Sequence, residues 1–287
     1  MKRLTPLPAF LLPLGLYLVG VAHWLIFFNF GDIPWMHYDW SQEYVYFSIL
    51  KEAVSTGTIP YHVAGTIHET SRFMAVPEFV LSPQIVLLRW LPVGAFVVVH
   101  ALLLYSIGYL GCLALKRSLG LSWIGFLPLY LLFGFTGFIA AHLSVGHSMW
   151  MAYFLLPWFF RYLLEWAKVG PSPVLAVQLA LVLFAISLQG GFHLCNWCLL
   201  FFLLVPPRSL RGVQYTILVV VVWVCLDAVR LIPGLMTYGA AKQAFVGGYP
   251  TFRDFLAGLV SLRSHGYPYF DAVSRRMGWW EYDMFVS

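Results

Sequence analysis

Charge is the scarcest ingredient of this sequence: 10% of its 287 residues are Asp, Glu, Lys or Arg, against 61% that are hydrophobic. A soluble domain of ordinary composition carries about a quarter charged residues, so a water-facing surface cannot be built from this inventory, and the mean hydropathy of +0.79 agrees. Cysteine is sparse too. Cys112, Cys195, Cys198 and Cys225 all fall within apolar runs, where a thiol acts as a small packing residue. Cys195 and Cys198 are one helical turn apart without a second ligand pair, which leaves little for a zinc or dithiol reading. The formal charge of +5 includes no basic block. Its cations come in pairs between apolar runs, which excludes a nucleic-acid surface. The first apolar run is too long for a signal peptide and no small-residue cleavage site follows it, so no cleaved leader is expected. Neither an internal repeat nor a low-complexity linker is present.

What the sequence has in excess is long apolar runs and aromatics, 18% of residues with 12 Trp. That mixture suits an all-α polytopic membrane protein with interfacial aromatic belts. Runs near the ~20 residues that a spanning helix needs lie at roughly 8–30, 92–115, 121–141, 147–165, 174–190, 192–206 and 213–233. The 174–206 stretch is too long for one span. Its "QGGFH", residues 189–193, carries paired glycines that turn the chain. Seven spans put Lys2 and Arg3, Lys116 and Arg117, Arg161 and Lys168, and Arg208 and Arg211 on one side. The connections 142–147 and 189–193, free of Lys and Arg, fall on the other. By the positive-inside rule the N-terminus is cytoplasmic, and the loop 31–91 and the tail 234–287 are external.

Most of the acids collect in those two external segments. Asp32, Asp39, Glu43, Glu52, Glu69 and Glu78 lie in the first, and Asp254, Asp271, Glu281 and Asp283 in the second. Each segment also shows an amphipathic helical period. Trp40, Tyr44, Phe47, Leu50 and Val54 recur at steps of three or four over about 40–56, and Gly57 ends the pattern. Phe252, Phe255, Leu256, Leu259 and Val260 do the same over about 252–263. Both are expected to lie along the membrane surface, apolar stripe down.

The acids Asp39 and Glu43 open the first of these helices. Locally, "DWSQ" reads as a capping box, with Asp39 as N-cap and Gln42 bonding back, and Glu43 as a first-turn acid favoured by the helix dipole. The same Asp39 could take a proton from a hydroxyl at the membrane boundary. His142 and His147 in "AHLSVGHSMW" and His193 in "QGGFH" occupy the two short external turns, so the topology brings them to the same end of the bundle. Each alone is explained by a bond to a helix-end carbonyl; three together suggest a site. Metal binding would need a defined first shell, and no HxxxH or HExxH spacing supplies one. Arg72, Arg263, Arg275 and Arg276 are external guanidinium groups that can clamp a phosphate. In "GWWEYD", Trp279 and Trp280 beside Glu281 and Asp283 suit sugar stacking and membrane anchoring equally.

With "YDWSQEYVYFSILKEAVSTGTIPYH" after the first span and "GWWEYD" in the second external segment, the whole layout resembles the N-terminal module of GT-C-type glycosyltransferases. These are integral membrane enzymes that use polyprenyl-phosphate-linked sugars. The resemblance covers essentially the whole chain. It implies an extracytoplasmic active face on a bacterial inner membrane, and a lipid-linked sugar as donor. An acid of the first external loop would be base or metal-holding residue: Asp39, with Asp32 as substitute and Glu43 beside it. No cofactor is firmly implied, although the family's chemistry admits a divalent cation. Donor contacts would come from Arg72, His142, His147, His193, Arg263, Arg275, Arg276 and Glu281. Family members usually continue with further spans, whereas this sequence ends at "EYDMFVS", so a truncated module is expected. The alternative is a non-catalytic membrane subunit packed against other membrane polypeptides. A transporter ranks third, because the one helix break lies at an external end rather than at the midplane.

Overall fold

The computed structural model describes residues 10–58, 60, 81–205 and 209–238. Among them every regular element is helical. The order is α1 (Leu11–Phe27), α2 (Trp40–Thr56), α3 (Val93–Leu119), α4 (Trp123–Gly134), α5 (Gly137–Ser144), α6 (Leu156–Val169), α7 (Pro173–Leu188), α8 (Phe192–Leu203) and α9 (Leu210–Tyr238), with 3₁₀ segments at Asn29–Gly31, Pro83–Arg89 and Ser148–Leu155. Helix runs through each of the seven apolar stretches. Val93–Leu119, Trp123–Ser144 and Leu210–Met236 are long and apolar enough to cross a membrane, and Leu11–Phe27, Pro173–Leu188 and Phe192–Leu203 are shorter apolar helices. The protein is thus an α-helical membrane protein. The expected interfacial helix at 252–263 lies outside the described residues.

Two of the apolar stretches are interrupted. The run expected at 121–141 breaks at Phe135–Thr136 between α4 and α5, where Gly134 and Gly137 weaken the helix from both sides. The run expected at 147–165 begins as a 3₁₀ segment and becomes α-helical at Leu156, with Pro157 in the first turn, where its missing N–H leaves no bond unmade. The turn expected in "QGGFH" is present: Gly190 takes φ +75 between α7 and α8.

Helix α3 is the centre of the bundle, packing against α1, α2, α4, α6 and the 148–155 segment. Its buried side chains Phe96, Ala101, Leu104, Tyr105 and Cys112 meet Trp24, Phe28, Trp40, Phe47 and Phe154 in one core. Hydroxyl groups fasten α1 to this core. Tyr109 Oη donates to Pro13 O at 2.6 Å, Tyr130 Oη donates to Leu16 O at 2.6 Å, and Tyr17 Oη and Ser106 Oγ are 2.8 Å apart. Each phenol buries a large apolar ring while its polar tip stays satisfied.

Helix α2 begins at Trp40 and is ended by Gly57, whose φ of +71 closes the last turn. Its apolar stripe turns inward: Trp40, Tyr46, Phe47, Leu50 and Ala53 are buried in the protein, whereas Tyr44 is exposed. The stripe packs on α3 and on Pro83–Arg89, so protein rather than lipid covers it. Lys51 Nζ donates to Leu88 O at 3.0 Å and Leu91 O at 2.6 Å, satisfying carbonyls where that 3₁₀ segment ends.

Candidate functional site

The first turn of α2 is fastened to the turn between α5 and Ser148–Leu155 by four contacts. The Asp39 amide donates to Val145 O at 3.0 Å, and the Trp40 indole N–H donates to Ser144 O at 3.2 Å. The Asp39 carboxylate Oδ2 lies 2.9 Å from His147 Nε2, and the Ser148 hydroxyl donates to Glu43 Oε2 at 2.7 Å. Asp39 and Glu43 are four apart on one helix face, and they meet two consecutive residues of the turn. Helical period on one side and a tight turn on the other therefore create the match.

Gly146 makes the approach possible. It holds φ +95, and a Cβ there would strike the backbone nitrogen of Trp40. Gly146→Ala is expected to destabilise the protein by about 1–3 kcal/mol through backbone strain alone, with the clash against α2 added. Thermal unfolding of the detergent-purified protein checks this, and an unchanged midpoint would show that the turn does not need glycine.

Asp39 is the helix N-cap by position, yet its side chain makes no cap hydrogen bond, and Gln42 Nε2 donates to Tyr46 Oη at 2.8 Å. The capping-box reading is corrected by this geometry. A charge-assisted bond to His147 takes the carboxylate that a local cap would have used. Asp39 remains open, its side chain 59% exposed, while His147 is 14% exposed. Behind it, His142 Nδ1 lies 2.8 Å from His147 Nδ1. His142 is buried, stacked on Trp150 at 4.5 Å between ring centroids and edge-on to Phe138 at 4.4 Å.

With both rings neutral, the Asp39 contact puts the proton of His147 on Nε2 and leaves Nδ1 as acceptor, so the shared proton sits on His142 Nδ1. His142 Nε2 is then a bare nitrogen, and it has no hydrogen-bond partner among the described residues. The arrangement holds Asp39 Oδ2 against His147 while the Asp39 side chain as a whole stays 59% exposed.

The expected site residues separate into groups. Asp39, Glu43, His142 and His147 converge, with Ser148 as a member that sequence reasoning missed. Glu43 is 5% exposed and engaged by Ser148, so it serves as a strut. Asp32 Oδ2 instead accepts from Asn29 Nδ2 at 3.3 Å, closing the turn after α1. His193 is exposed at the start of α8 and makes no hydrogen bond or ion pair with the cluster. Arg72, Arg263, Arg275, Arg276 and Glu281 lie outside the described residues. Among the described residues no group of three His, Cys, Asp or Glu side chains could hold a metal ion.

A second polar constellation went unnoticed in the sequence. Asp227 and Arg230, on α9, are 0% and 4% exposed. Ser187 Oγ of α7 donates to Asp227 Oδ2 at 2.6 Å, and the Arg230 guanidinium lies over the Phe192 ring at 5.4 Å. The signal was available, since two ionisable residues within an apolar run are rare and face a partner.

Compared with known proteins, the chain matches no family model, no curated protein and no solved structure.

Proposed function

We propose that this protein is a membrane glycosyltransferase of the GT-C kind that transfers a sugar from a polyprenyl-phosphate donor at the α2 end of its bundle. That end is extracytoplasmic in a seven-crossing, N-in arrangement. One observation carries the reading: a solvent-open carboxylate, Asp39, is held against the His147–His142 pair where the chain from the apolar helix α1 enters α2. In the reaction, an acceptor hydroxyl oxygen attacks the anomeric carbon. Its proton passes to Asp39 Oδ1, and the bond from that carbon to the phosphate oxygen breaks with its electron pair. Polyprenyl phosphate leaves. A positioned base of this kind contributes about 10²–10⁴ in rate.

The test is incubation of the detergent-purified full chain with radiolabelled polyprenyl-phosphate sugars and hydroxyl acceptors. Donor consumption with release of polyprenyl phosphate is the expected result. Absence of both turnover and donor binding would overturn the reading. A non-catalytic membrane subunit is the second reading, and α9 favours it. That helix exposes Val213, Ile217, Val221, Val224, Val229 and Ile232 along its length, a surface that a membrane partner would cover. Purification in constant stoichiometry with another membrane polypeptide, without donor binding, would establish it.

A further inference from the structure

On another face of α2 the structure forms a groove of about 670 Å³ that neither the fold nor the proposed transfer explains. Its volume falls within the roughly 300–1,000 Å³ of small-ligand sites. Tyr44, Ser48, Lys51, Glu52 and Ser55 line it from α2, and Trp35 from the preceding loop. The helical steps of three and four put these side chains on one stripe, beside the stripe that enters the core. Gly31, Pro92, Val93 and Gly94 complete the lining. Gly31 has φ +100, and a Cβ on Gly94 would strike Gly31 O, so two glycines let the chain after α1 settle on the first turn of α3. Because α3 is long and apolar enough to cross a membrane, its first turn marks the level at which the spans leave the hydrocarbon. Trp90 beside it is 67% exposed, as an interfacial tryptophan would be.

The chemistry of the groove is one cation, one anion and two aromatic rings. Lys51 gives two of its three N–H donors to Leu88 O and Leu91 O, keeping its charge and one donor. Glu52, the next residue, is exposed and has no ion-pair partner among the described residues. Trp35 and Tyr44 stand 5.1 Å apart between ring centroids at 50°, forming a corner whose faces attract an ammonium group.

We propose that this groove binds the headgroup of a zwitterionic aminophospholipid, phosphatidylethanolamine in chemistry. The ammonium sits between Glu52 and the Trp35–Tyr44 corner, and the phosphate sits at Lys51. An anionic headgroup brings no cation to answer the Glu52 charge. A neutral sugar would leave the Lys51 charge unanswered. The inference does not depend on sugar transfer, since a non-catalytic subunit would bind the same lipid.

The test titrates the delipidated, detergent-purified full chain with dioctanoyl-phosphatidylethanolamine by calorimetry. Saturable binding is expected, weakened about tenfold by Glu52→Gln, which removes a charge-assisted contact, and about fivefold by Tyr44→Ala, which removes a cation–π face. Dioctanoyl-phosphatidylglycerol should bind about tenfold more weakly than the amine lipid and gain rather than lose affinity in Glu52→Gln, which removes a like charge. Equal affinity for the two lipids in the wild-type chain overturns the proposal whether or not a variant folds. So do unchanged binding in both variants, and a dioctanoyl glucosyl-glycerol that binds as tightly as the amine lipid. Water-soluble phosphoethanolamine competing as well as the lipid would overturn the assignment to a membrane lipid.

Discussion

Asp39→Asn is expected to lower sugar transfer by about 10²–10⁴-fold while leaving the unfolding midpoint nearly unchanged. The substitution is nearly isosteric. An amide oxygen can still accept from His147 Nε2, now 2.9 Å from Oδ2, and the backbone bond from Asp39 N to Val145 O is untouched. What disappears is the basic carboxylate. Glu43→Gln provides the contrast. Its carboxylate is buried and accepts from Ser148 at 2.7 Å, so replacing it should act chiefly on stability, with turnover per folded molecule close to wild type. The measurement is initial rate with labelled polyprenyl-phosphate sugar, normalised to folded protein by size-exclusion chromatography. Unaltered turnover in Asp39→Asn removes Asp39 as base. An equal fall in Glu43→Gln at unchanged stability would move the chemistry one turn along α2.

Composition made the helical membrane class legible, because scarcity of charge is a global property that no local detail can reverse. Helix α2 was legible for a local reason: Trp40 starts an apolar period and Gly57 can take the left-handed turn that ends it. Its environment was not. Sequence period says that a stripe is buried, not whether lipid or protein buries it, and here α3 and the 83–89 segment cover it. The capping box failed for a related reason. A local bond within "DWSQ" competed with a tertiary bond to His147, 108 positions later (147 − 39), and the tertiary partner won. Topology could bring His142 and His147 to the same end as Asp39. It could not supply Ser148, whose importance lies in its distance from Glu43. Asp227 and Arg230 escaped attention because their surroundings read as an ordinary span, and Ser187 is far away in sequence.

Asp227→Leu is expected to destabilise the protein by about 3–5 kcal/mol, the usual consequence of leaving one buried charge without the opposite charge near it. Arg230 lies three residues on and is 4% exposed. Without the carboxylate, its guanidinium loses a nearby opposite charge, and the Phe192 ring at 5.4 Å does not replace an anion at membrane depth. Ser187 simultaneously loses the acceptor it now reaches at 2.6 Å. Arg230→Met, made alone, should be damaging for the converse reason, leaving Asp227 at 0% exposure with its Oδ1 lacking a hydrogen-bond partner among the described residues. The double variant Asp227→Leu/Arg230→Met removes both charges and fills the space with apolar atoms, so it should lose less than either single change. Such non-additivity distinguishes a coupled pair from two independent core residues. Denaturation in detergent of the wild type, both singles and the double gives the full cycle. Singles near wild-type stability, or losses that simply add, would show that α9 is held against α7 by apolar packing and that these charges do not set its register.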